Sequence, residues 1–210
     1  MSLSRPLIAV TLALAFSASA TAFAAGDAAR GKVLSYTCLG CHGIEDYRNA
    51  YPDYNVPRLS GQHAAYIVAA LKEYRNGERQ HPTMQVQAAT LSDQDMADIA
   101  AYFASQKGRV GAADPKIVAR GEALFRGGNL EKGLPACTGC HSPNGAGNAA
   151  AGFPHLGGQH AQYIAKQLTD FRKEEGGRAN DGDAMTMRTI ARKLSDEDIA
   201  AVSSYIQGLH

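Results

Sequence analysis

Apolar residues recur at helical spacing along the chain, and each stretch that shows the pattern occurs twice. Tyr66, Ile67, Ala70, Leu71 and Tyr74 make a stripe that predicts a helix over about 62–75, with a counterpart over about 159–172. Ile99, Tyr102 and Phe103 share one face of a later helix, as Val202, Tyr205 and Ile206 do in the second half. These later helices open on Ser92 and Ser195, read as N-caps with an aspartate three residues on. Leu91 is placed to staple onto Met96, and Leu194 onto Ile199. Asp114-Pro115 predicts a further helix start, with Asp as N-cap and Pro at the first helical position. No segment sustains period-two alternation, and the Gly- and Pro-rich stretches fall between helical ones. The chain therefore reads as all-α.

The doubling extends well beyond the helices. Arg30-Gly31 answers Arg120-Gly121, Cys38-Leu-Gly-Cys41-His42 answers Cys137-Thr-Gly-Cys140-His141, and VPRLSGQHAAYI from Val56 answers FPHLGGQHAQYI from Phe153. LSDQDMADIAAYF from Leu91 then answers LSDEDIAAVSSYI from Leu194. Two tandem domains follow, each repeating one functional unit. They are expected over 25–107 and 114–210, joined by a linker at 108–113 where glycines interrupt any periodicity. Each domain would be a few short helices with long loops, a construction that gains from a large apolar ligand at its centre.

Ahead of the repeat, Arg5, an apolar run from Leu7 to Phe16 and the triplet Ala22-Phe23-Ala24 form a signal-peptide pattern over 1–24, with cleavage near Ala24. The apolar run is shorter than the roughly 20 residues of a spanning helix. The chain of 210 residues carries 21 basic and 20 acidic side chains. Neither half has a basic stripe, which excludes nucleic acid as the expected partner. Export would ordinarily make the four cysteines disulfides. Here, however, they form two CxxC pairs, each followed at once by histidine.

CxxCH is the attachment signature of c-type haem. Two thiols one helical turn apart can add to two vinyl groups on one porphyrin edge, while the adjacent histidine turns to the iron. Cys38 and Cys41 would hold one haem c with His42 as ligand; Cys137 and Cys140 would hold the other with His141. A zinc site would need its two pairs about 15–20 residues apart, and these lie far more widely spaced. The sixth ligand decides between carrying electrons and reacting with small molecules. Met84 and Met187 stand seven residues before Leu91 and Leu194, equivalent places in the repeat, after long loops that would let the chain cross the distal haem face. Met185 is the alternative to Met187, and Met96 reads as core. His63 and His160 also match, but near a helix start they read as hydrogen-bonding or surface groups rather than ligands; His81, His155 and His210 have no counterpart. Thioether ligation favours ferrous iron and so raises the potential. Tyr47, Tyr51 and Tyr54, crowded after the first motif, either shield that haem or fill the core, and core filling is the preferred reading.

The whole expected mature chain resembles the cytochrome c4 family through RGEALFRGGNLEKGLPACTGCHSPNGAGN, FPHLGGQHAQYIAKQLTDFR and KLSDEDIAAVSSYIQGLH, and in the first half through CLGCHG, LSGQHAAYI and LSDQDMADIAAYFASQKG. The resemblance implies two class I cytochrome c domains with closely crossing first and last helices, Gly31 against Tyr102 and Gly121 against Tyr205. It also implies a periplasmic carrier, in some members peripherally membrane-associated, moving electrons from a quinol-oxidising complex to a terminal oxidase with no small-molecule substrate. Two other functions fit haem c: a di-haem peroxidase, which needs an open iron, and the cytochrome subunit of a dehydrogenase, which needs a permanent partner.

Overall fold

The computed structural model of the chain describes residues 26–174 and 184–210. The signal-peptide reading over 1–24 lies outside the described residues. Within them the chain forms two helical units. The first comprises α1 (Ala28–Leu34), α2 (Tyr36–His42), a hairpin of β1 (Arg48–Ala50) and β2 (Asp53–Asn55), α3 (Ala64–Asn76), α4 (Pro82–Ala89) and α5 (Asp93–Ala104). The second comprises α6 (Val118–Gly127), α7 (Thr138–His141), α8 (Ala161–Lys173), α9 (Ala184–Ala191) and α10 (Asp196–Gly208).

Each unit is organised around a crossing of its first and last helices, α1 on α5 and α6 on α10, with the middle helix packed against the last. The crossing is tight because a glycine sits at its centre. A Cβ at Gly31 would overlap the Asp98 carbonyl, and one at Gly121 would overlap the Ala201 carbonyl and come within 2.7 Å of the Tyr205 Cβ. The expected Gly121–Tyr205 contact is therefore present. Gly31 meets the backbone of Asp98 and Ile99, and Asp98 is the equivalent of Ala201 in the repeat. Both last helices start with the expected cap, and it is a full capping box in each: Ser92 with Asp95, and Ser195 with Asp198.

The two apolar cores overlap at equivalent positions of the repeat, and the second is the larger. Ile67, Leu71, Ala88, Met96, Ile99 and Phe103 form the first cluster, with Leu91 packed against it. Ile164, Leu168, Leu194, Ile199, Val202 and Ile206 form most of the second. Each staple pair thus lands in one cluster, as the helical stripes require.

Three sequence expectations are corrected. Asp114-Pro115 makes a turn instead of a helix start, its Oδ1 accepting from Lys116 N at 2.9 Å; α6 begins at Val118. The tyrosine-rich loop is a β-hairpin with Arg48 opposite Asn55, a strand pair too short to display alternation. Nor do its tyrosines fill the core: Tyr51 at the tip is 95% exposed, while Tyr47 and Tyr54 are half-buried and Tyr54 stands edge-on to His81 at 5.3 Å.

Candidate haem sites

Helix α2 carries Cys38, Cys41 and His42 within its last turns, and in the second unit Cys137 caps the short α7 that holds Cys140 and His141. Cysteines three apart on a helix face the same way, so each pair offers two thiols on one side. All four are half-buried, and none is joined to another by a disulfide.

The histidines are oriented by one device used twice. The His42 Nδ1 lies 2.9 Å from the Pro57 carbonyl oxygen, and the His141 Nδ1 lies 3.1 Å from that of Pro154. A carbonyl only accepts, so Nδ1 carries the proton and Nε2 keeps its lone pair, the state a metal requires. Burial lowers both histidine pKa values and favours the neutral ring.

Met84 and Met187 sit in helices, third residue of α4 and fourth of α9. Each is half-buried against its unit's cluster, the same clusters on which Cys38 and Cys137 pack. Met185 is 57% exposed, with its sulfur accepting from the Arg188 guanidinium at 3.3 Å. Met96 is fully buried in the core. The residue set of each unit thus fits haem c: paired cysteines, a neutral imidazole with Nε2 available, a thioether and apolar walls.

The matching histidines beyond the motifs face the seam between the units. The His63 Nε2 donates to the Ala146 carbonyl at 2.8 Å, and His160, 5% exposed, lies 3.9 Å from Asp46 Oδ1. His81 caps α4 by accepting from Met84 N, the His155 Nε2 bonds the Gly157 carbonyl, and His210 is exposed.

That seam holds residues the sequence did not single out. Gln62 donates to the His155 carbonyl and accepts from its N–H, both at 2.9 Å; Gln159 does the same to Arg58, at 2.9 and 3.0 Å. Arg79, buried, donates to the Tyr163 hydroxyl at 2.6 Å and to Gln167 Oε1 at 2.9 Å. In the hairpin, Asn55 N donates to Gln162 Oε1 at 2.7 Å. The available signal was the GQH triplet in both halves, in which histidine drew the attention and glutamine carries the paired bonds.

Comparison with known proteins follows the same division. The cytochrome c family model matches residues 28–107 and again 118–210. The chain is 57% identical over 201 residues to cytochrome c4 of Pseudomonas aeruginosa, covering 96% of this chain and 98% of that one. The crystal structure of reduced recombinant cytochrome c4 from Pseudomonas stutzeri superposes with a TM-score of 0.80 at 54% identity, over 89% of this chain and all of that one. More distantly, a thiosulfate dehydrogenase electron acceptor of Stutzerimonas stutzeri is 38% identical, over 80% of this chain and 76% of its own.

Proposed function

The chain belongs to the cytochrome c4 family, and on that premise we propose that it works in the periplasm, taking electrons from a quinol-oxidising complex and giving them to a terminal oxidase. It is a di-haem electron-transfer cytochrome, with haem c bound covalently at Cys38 and Cys41 and at Cys137 and Cys140. In this reading a signal peptide ends near Ala24, residues 25–107 and 114–210 are the two haem domains, and 108–113 links them.

When bound, each haem supplies an iron that alternates between ferric and ferrous. His42 and His141 would coordinate through Nε2, with their rings held in direction by the carbonyls of Pro57 and Pro154. Met84 and Met187 would each offer an iron a thioether sulfur, a soft donor that favours the ferrous state. With an imidazole and a thioether both committed to each iron, neither would leave a place for substrate, and the protein would relay electrons without changing a bond. The observation carrying this reading is the equivalence of Met84 and Met187, each packed on the same apolar cluster as its domain's haem-binding cysteine.

The test is turnover between membranes. Mature holoprotein should be reduced by quinol-oxidising membranes and reoxidised by oxidase-containing ones, each step stopped by the inhibitor of that complex. Haems that reduce chemically but exchange electrons with neither membrane would overturn the partner assignment. A second reading, acceptor for a dehydrogenase, is favoured by the likeness to the thiosulfate dehydrogenase electron acceptor. A dehydrogenase that co-purifies in fixed ratio would select it.

A further inference from the structure

We propose that Gln62 and Gln159 are positioning residues that act across the domain interface, each governing the hydrogen bond of the iron-binding histidine in the other domain. This rests on the haem-site reading above.

In each domain one peptide group links the iron-binding histidine to the glutamine of the other domain. The Pro57–Arg58 peptide presents its carbonyl oxygen to His42 Nδ1 at 2.9 Å and its N–H to Gln159 Oε1 at 3.0 Å. The Pro154–His155 peptide presents its carbonyl to His141 Nδ1 at 3.1 Å and its N–H to Gln62 Oε1 at 2.9 Å. Within a peptide the two dipoles are conjugated, so an acceptor on the N–H makes the oxygen a stronger acceptor in turn. The histidine bound to that oxygen becomes more electron-rich at Nε2, which favours ferric iron.

The clamp is also geometrically firm. Each glutamine amide makes a second bond from Nε2 to the next carbonyl along, His155 or Arg58, both at 2.9 Å. Two parallel bonds fix the plane of the segment rather than one atom of it. Both glutamines are 8% exposed, so water competes little for these bonds. The arrangement is reciprocal: Gln62 lies in the first domain and supports His141, while Gln159 lies in the second and supports His42. Each domain supplies its own iron ligands, but the fine setting of each comes from its neighbour.

Full-length holoprotein with Gln62→Leu or Gln159→Leu tests this through the midpoint potential of each haem and the hyperfine-shifted NMR signals of each axial histidine. Gln62→Leu is expected to raise the potential of the second haem and move the His141 signals, leaving those of His42 in place. Gln159→Leu should do the mirror image. Gln62→Glu, which keeps an accepting oxygen, should return the His141 signals toward the parent positions. A shift confined to the variant's own domain, an equal shift of both haems or no shift would overturn the proposal. If the parent protein lacks histidine ligation at either iron, the haem-site reading falls with it; ligation intact without a cross-domain shift removes this inference alone.

Discussion

Gly31 lies directly against the backbone carbonyl of Asp98, with no room between them for a Cβ. Alanine would gain about 1 kcal/mol over glycine from helix propensity alone, but here it must push two helix backbones apart. Overpacking costs roughly 1–3 kcal/mol where side chains can adjust, and a carbonyl oxygen adjusts less. Gly31→Ala should therefore be a net loss of at least about 1 kcal/mol, with Gly121→Ala behaving alike. Chemical unfolding of the holoprotein measures both, and neutral or stabilised variants would refute the close crossing.

Asp198 is 2% exposed and bonded by Arg120 and Lys132, each at 2.6 Å. Burial alone would raise its pKa, yet these cations and the Ser195 N–H together hold it well below the usual carboxylate range. A carboxyl depressed in the folded state gives stability that is complete above the unfolded value of about 3.9 and is lost as pH falls through the folded one. Asp198→Asn should cost about 1–2 kcal/mol at neutral pH, modest because both cations are partly in water. The gap between the Tm values of parent and variant should narrow on acidification below about pH 4. A gap that stays constant would mean the ion cluster contributes nothing.

Met187→Ala should lower the potential of one haem by on the order of 0.1 V, well inside the roughly 0.8 V that axial ligands span. The other domain's ligation should persist, because it draws on Met84. Met185→Ala should leave both potentials in place, given that side chain's exposure. Redox titration of the two variants decides between the sulfurs, and the reverse pattern would assign the iron to Met185.

Arg79 is a buried cation of the first domain bonded to Tyr163 and Gln167 of the second. Its guanidinium also lies 4.8 Å from the Tyr74 ring centroid. Truncating a buried, hydrogen-bonded charge costs roughly 2–5 kcal/mol at an interface. Arg79→Ala should therefore uncouple the domains and split a single denaturation transition into two. An unchanged, single transition at the parent midpoint would show that the seam is held by other contacts.

What could be read from the sequence was whatever repeats locally. The capping boxes at Ser92 and Ser195, the stripes through Ile67 and Ile164 and the CxxCH motifs are each contained within about two helical turns, where spacing alone carries the meaning. The hairpin at 48–55 was missed because three-residue strands have no periodicity to detect. Pro115 misled for a related reason: a proline suited to a first helical turn suits a preceding turn equally. The paired bonds of Gln62 and Gln159 were beyond reach, since a buried glutamine and a surface one look alike until its partner some hundred residues away is placed.

The optical spectrum of the oxidised mature holoprotein bears on the whole reading at once. Two equivalents of the methionine-sulfur-to-iron charge-transfer band per chain, unchanged on adding peroxide, are expected if Met84 and Met187 close both irons of an electron carrier. One equivalent, with the other haem forming a peroxide complex, would mean an open iron and an enzyme in place of a relay.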